Sequence, residues 1–261
     1  MALLLAGNDS VKDIIYIYGD KHNHCYITSG INFREFIQGL PFPIQNILLL
    51  KHDVQWADYN LNSSFNYVEK EYISQLINED VEKNLDFCWV DFEELLDLDE
   101  LEPREISELL YLAHKKEPIS KPFLPRLNNS FAYINMNGGQ YKKVYYKRMN
   151  DFLFMLCNSI TNKLNTFNKK GINFFSRPKN LTPIHINLML KLLPLMEDGI
   201  IIDLTERLEN RKSIEIPIYR VNYYAEIDEV IANVDEHREK TNQFAVLIYS
   251  KKDNEWSLTE V

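Results

Sequence analysis

The sequence predicts an α+β protein, mixed α/β in order, built as two αβ halves with mixed sheets and several β-hairpins. Three observations carry that expectation. Short β-branched and aromatic runs recur along the chain, each bounded by turn chemistry. Between them lie stretches whose apolar residues repeat at helical spacing. Two turns, GDKHNH at 19–24 and MNGGQ at 136–140, join neighbouring runs directly, as tight hairpin turns do.

In order, residues 14–18 and 25–28 read as a strand pair. Asn32 is placed to cap a helix over 32–40, with Glu35 three residues on completing a capping box. LPFPI at 40–44 forces extended backbone, because a residue before proline is pushed out of the α region. Residues 47–50 form an apolar strand and 54–65 a polar loop. A helix is expected over 66–79, with Val68, Tyr72, Ile73, Leu76 and Ile77 on one face. Phe87, Cys88, Trp89 and Val90 read as a buried strand. Asp91 follows as the expected helix cap, with Glu94 three residues on. A second helix should open at Pro103, where the missing amide is no loss, with Ile106, Leu109, Leu110 and Ala113 as its stripe. Acidic residues crowd its start and His114, Lys115 and Lys116 close it, each sign where the helix dipole favours it.

KEPISKPFLPRLNNS at 116–130 carries three prolines without periodicity and reads as a domain boundary, between 1–120 and 121–261, or as an extended crossover. Residues 131–135 and 141–146 form a hairpin. A long helix follows on Phe152, Met155, Leu156, Ile160 and Leu164, then a linker-like stretch at 168–180. The next helix covers 184–196, with Pro194 expected to end or kink it. Residues 200–202 are a buried strand ending at Asp203. Residues 213–221 are another, in which Pro217 implies an edge or a bulge. Residues 225–238 are helical, and a last hairpin turns about KKDNE at 251–255.

With 45% hydrophobic residues in 261, the chain can bury a sizeable core. Its net charge of −9 argues against wholesale attraction to nucleic acid or anionic membranes. Three scattered cysteines, Cys25, Cys88 and Cys157, without a CxxC, point to reduced thiols. The opening MALLLAGNDS lacks a basic region and is short for a secretory segment, and no apolar run approaches the roughly 20 residues that a membrane helix needs. A cytoplasmic protein is expected.

The positive feature is the acidic stretch. Glu94, Asp97, Asp99, Glu102, Glu105 and Glu108 are read as a docking surface for another protein with a basic face, giving a regulator, inhibitor or immunity-type function. No GxSxG elbow, phosphate-cradling loop or reactive thiol context is present, so the reading leans away from an enzyme and expects no cofactor. A homodimer stays open, as does docking of the basic hairpin onto the acidic stretch.

Two alternatives rest on other residues. Asp20, His22 and His24, with His52 and Asp53 later, offer oxygen and imidazole ligands for a metal ion, and His22 and His24 share a face of an extended chain. Asp-x-His after an apolar strand resembles the first motif of the metallophosphoesterases, which implies a metal-dependent hydrolase; the later Gly-Asp-x-x-Asp and Gly-Asn-His motifs of that family are absent. A related idea is that Asp20, Asp53, Asp91 and Asp203 converge, as strand-end carboxylates do in a parallel sheet. The other alternative is a nucleic-acid face on YKKVYYKRM through Lys142, Lys143, Lys147 and Arg148, against which lysines blunting an edge strand are the plainer account.

Overall fold

The computed structural model of the chain describes residues 13–20, 23–79, 85–170, 180–221 and 227–261, without the side chains of 168–170, 227–228, 231 and 240. Its frame is one antiparallel sheet. The strands are β1 (Ile14–Asp20), β2 (Cys25–Ser29), β3 (Asn46–Lys51), β4 (Asp58–Asn60), β5 (Phe65–Val68), β6 (Phe87–Phe92), β7 (Phe131–Met136), β8 (Tyr141–Tyr146), β9 (Ile200–Asp203), β10 (Leu208–Glu209), β11 (Ser213–Arg220), β12 (Gln243–Ser250) and β13 (Glu255–Glu260). The helices are α1 (Phe33–Gly39), α2 (Ile73–Leu76), α3 (Leu95–Asp99), α4 (Pro103–Lys115), α5 (Met149–Lys170), α6 (Ile186–Met196), α7 (Ile227–Ala232) and α8 (Val234–His237). In space the strands run β13-β12-β11-β9-β1-β2-β8-β7-β6-β3-β5-β4, with β10 beside β11.

The α+β class is as expected, but the sheet is not mixed: every pairing among the described residues is antiparallel. The registers make β2 and β3 run the same way, and α1 connects them, so they would be parallel neighbours in a doubly wound fold. Here β8, β7 and β6 stand between them and restore alternation. The sheet spans residues 1–120 and 121–261 alike, since β1 pairs with β9, β2 with β8 and β6 with β7.

One face carries Ile15, Ile17, Trp89, Val144, Ile202 and Ile216 and is covered by α1, α5 and α6. The expected capping box starts α1: Asn32 Oδ1 accepts from the Glu35 amide at 2.9 Å, and the Glu35 carboxylate accepts from the Asn32 amide at 2.9 Å. That sets Phe33 edge-on to Trp89 at 4.8 Å and Phe36 edge-on to Phe131 at 5.0 Å, each such pair adding about 0.5–1.5 kcal/mol to its area burial. At the end of α1 the backbone runs close to α5; a Cβ on Gly39 would sit 2.6 Å from the Met155 carbonyl oxygen. The other face has two covers. α3, α4 and residues 117–130 lie on Leu48, Leu50, Cys88, Val90 and Ile134, while Val230 of α7 packs over Tyr16, Ile201 and Tyr219.

Several local expectations are corrected. Asp91 does not cap a helix; it lies inside β6, and α3 starts at Glu94, whose amide donates to Asp97 Oδ2 at 3.3 Å. The 66–79 helix opens instead as β5, because Phe65 and Val68 are wanted on the sheet beside β3, and a 3-10 turn at Lys70–Tyr72 and the short α2 are what is helical. The 54–65 loop contains β4. Residues 117–130 are no bare connector: Leu124 and Leu127 are buried, and Asn129 accepts from the Leu124 amide and donates to the Pro122 carbonyl, each at 2.8 Å. Pro194 sits inside the last turn of α6. Pro217 is neither at the edge nor wasteful: on one side β11 pairs with β10 at Ile214 and Glu215 and with β9 from Ile218 on, so the proline falls where neither partner asks for its amide. A bulge follows between Ile218 and Tyr219. The opening segment and much of 168–180 lie outside the described residues.

Candidate functional site

The acidic stretch is held largely by the chain itself. Pro103 opens α4 as expected, with Glu105 Oε2 accepting from the Glu102 amide at 2.9 Å. Arg126, from the strap at 117–130, reaches across to Glu105 at 3.1 Å, Glu102 at 2.8 Å and Glu100 at 3.5 Å. Glu108 meets Arg104 at 3.1 Å and the Ser120 hydroxyl at 2.9 Å. Asp97 is spent on the start of α3. Among the described residues the cations that meet this stretch are Arg126 and, at Glu108, Arg104. What faces water is the α3 end: Glu94, Asp99, Glu100 and Glu102 are exposed.

That end has an apolar centre. Asp99 Oδ1 accepts from the side-chain amides of Asn60 at 2.7 Å and Asn62 at 3.0 Å, which pins the β4–β5 turn to α3. Leu61, between those asparagines, is 85% exposed; Leu96, one turn before Asp99 on the same helix face, is 74% exposed, and Leu95 is also open. Single exposed leucines need no explanation, but these stand on two segments that Asp99 joins, beside the exposed carboxylates of α3. Leu61 escaped sequence reading because a lone leucine in a polar loop carries no pattern.

The proposed metal ligands are not brought together where they are described. Asp20 accepts from the Asn23 amide at 3.1 Å and its side chain at 2.6 Å, closing the β1–β2 turn in which His24 takes a positive φ. His52, also at positive φ, and Asp53, bonded to Asn66 at 2.6 Å, follow β3. Five interstrand steps of about 4.8 Å separate β1 from β3, about 24 Å along the sheet. His22 lies outside the described residues. The four strand-end aspartates do not converge either: β1 pairs Ile14 with Asp203, so Asp20 and Asp203 close opposite ends, and four interstrand steps, about 19 Å, part β1 from β6.

Two of those aspartates are structural and buried. Asp91 accepts from the Phe131 amide at 2.7 Å and the Ser130 amide at 2.9 Å, clamping the start of β7. Burial pushes its carboxyl up to about 7, against the pull of those amides. Asp203 accepts from the Thr205 amide and hydroxyl at 2.8 and 2.6 Å and pairs with Arg238 at 2.6 Å. Arg238 also meets Glu206 at 3.0 Å and Asp235 at 3.1 Å, tying the end of α8 to the sheet. The Asp203–Thr205 spacing signals the local turn; nothing local signals Arg238.

The basic hairpin puts two of its four cations inside the sheet and leaves Lys147 and Arg148 exposed. β8 lies between β2 and β7, so it is no edge strand. Lys142 and Lys143 point to opposite faces and are 5% and 9% exposed. Lys142 donates to the Gly139 carbonyl at 2.9 Å, and Lys143 lies 5.5 Å over the Tyr145 ring. Lys147 donates to Asn128 at 2.7 Å and Arg148 to Asp151 at 2.9 Å. All three thiols are free and buried, and burial pushes each up to about 12, which leaves them as thiols. No described helix is long and apolar enough to cross a membrane. No family model, curated protein or solved structure matches the chain.

Proposed function

We propose that the protein acts by binding another protein, as a regulator or inhibitor, through the corner where the β4–β5 turn meets α3. The single observation that carries this is the exposure of Leu61 and Leu96 on two segments that Asp99 ties together. The partner surface is apolar at its centre and basic around it. Leucines supply the buried contact, while Glu94, Glu100 and Glu102 steer the approach and set register. Of the acidic set, Asp97, Glu105 and Glu108 support the scaffold and Asp99 fixes the turn. The test is affinity isolation from the source cells with wild-type and Leu61→Ser/Leu96→Ser baits. A basic protein retained by the first and lost by the second, with unchanged thermal unfolding, supports the reading. Equal retention by both baits ends it.

A further inference from the structure

The two edges of the sheet are built differently. β4 is three residues long and fully polar apart from Tyr59, a form that leaves little to pair with. β13 is six residues long and pairs with β12 in unbroken register from Ala245–Glu260 to Ser250–Glu255. It contains no proline, no bulge and no lysine, the usual means of closing an edge. Among the described residues no strand pairs with its outer side.

The free main-chain groups can be assigned. The Val261 amide donates to the Phe244 carbonyl. Residues of an antiparallel strand alternate in the direction of their amide and carbonyl, so Thr259, Ser257 and Glu255 also face β12. Trp256, Leu258 and Glu260 then present three amides and three carbonyls outward. The strand is rigidly seated for this. Trp256 and Leu258 pack against the core, and the Trp256 indole donates to the Thr182 carbonyl at 2.7 Å. Glu255 and Glu260 are exposed at its two ends.

We propose that this edge takes up an extended segment of a partner protein as an added antiparallel strand, and that the segment carries basic side chains at both ends. Main-chain bonding gives the affinity and the end carboxylates give the choice of partner. A second copy of this chain is a poorer occupant, since two β13 strands side by side gather four carboxylates without a cation on either strand. This surface lies at the opposite end of the strand order from the Leu61 corner and stands or falls separately.

The experiment titrates ¹⁵N-labelled protein with a synthetic seven-residue peptide of alternating threonine and valine with lysine at each end, and with its glutamate-ended counterpart. Slowed amide exchange is expected at Trp256, Leu258 and Glu260, with the lysine-ended peptide binding about tenfold tighter at low salt. Glu260→Pro removes one outward amide without touching the β12 ladder and should abolish binding; Glu255→Lys/Glu260→Lys should reverse the preference. Leu61→Ser should leave it unchanged. The proposal is overturned if those three amides are unaffected at millimolar peptide, if the two peptides bind alike, or if the protein alone is a dimer with these amides already protected.

Discussion

Carboxylates at the foot of β9 and at the head of α3 meet opposite circumstances. Asp203 is fully buried and answered by Arg238 and the Thr205 amide. Glu94 and Glu100 stand in water beside exposed leucines. The chain itself supplies the cation and the amide that meet buried Asp203, since an unanswered buried charge costs several kcal/mol. At the exposed end of α3, Glu100 and Glu102 share Arg126 at the surface, while Leu61 and Leu96 are left open to water. The difference teaches that acidity alone does not mark a docking surface; much of this chain's acidity holds the chain together.

The comparison predicts a gradient of effects. Arg238→Met should be the most damaging charge change, about 3–5 kcal/mol, because it strands a buried aspartate; chemical denaturation measures it, and a loss under about 1 kcal/mol would put Asp203 with the surface carboxylates. Asp91→Ala should cost about 1–3 kcal/mol by leaving the Ser130 and Phe131 amides without an acceptor. Asp91 also gives a pH signature. Its folded value is raised to about 7, above the roughly 3.9 of an unfolded aspartate. Between those values the folded state holds more protons. This group's contribution therefore falls as pH rises from about 4 to 7, by at most about 1.4 kcal/mol per unit, and levels off above. Relative to wild type, Asp91→Asn should lose that slope; an unchanged slope would assign it to other groups.

Smaller effects come next. Glu105→Gln should cost about 0.5–1.5 kcal/mol, since it removes one arm of the Arg126 clamp and weakens the α4 cap together. Leu61→Ser/Leu96→Ser should change stability by no more than about 0.5 kcal/mol, because neither side chain is buried. A large loss there would mean that the corner belongs to the core.

Local signals were legible wherever neighbours in sequence decide the structure. The Asn32–Glu35 box, Pro103 at the head of α4, the Asn137–Gly139 turn and the last hairpin all answer to contacts within a few residues. What failed depends on distant pairing. Lys142 and Lys143 read as a solvated strand because nothing local reveals that β2 arrives from more than a hundred residues away to bury β8. Asp91 carries a cap's spacing, yet the amides it serves are 39 and 40 positions on. The acidic stretch was visible as composition, but Arg126, which meets Glu100, Glu102 and Glu105, comes from a proline-rich strap with no periodicity.

The most direct test is amide hydrogen exchange on the complex with the isolated partner, compared with the free protein. The account predicts protection at residues 59–62 and 94–102. Protection confined to other surfaces, with that corner unchanged, would contradict it.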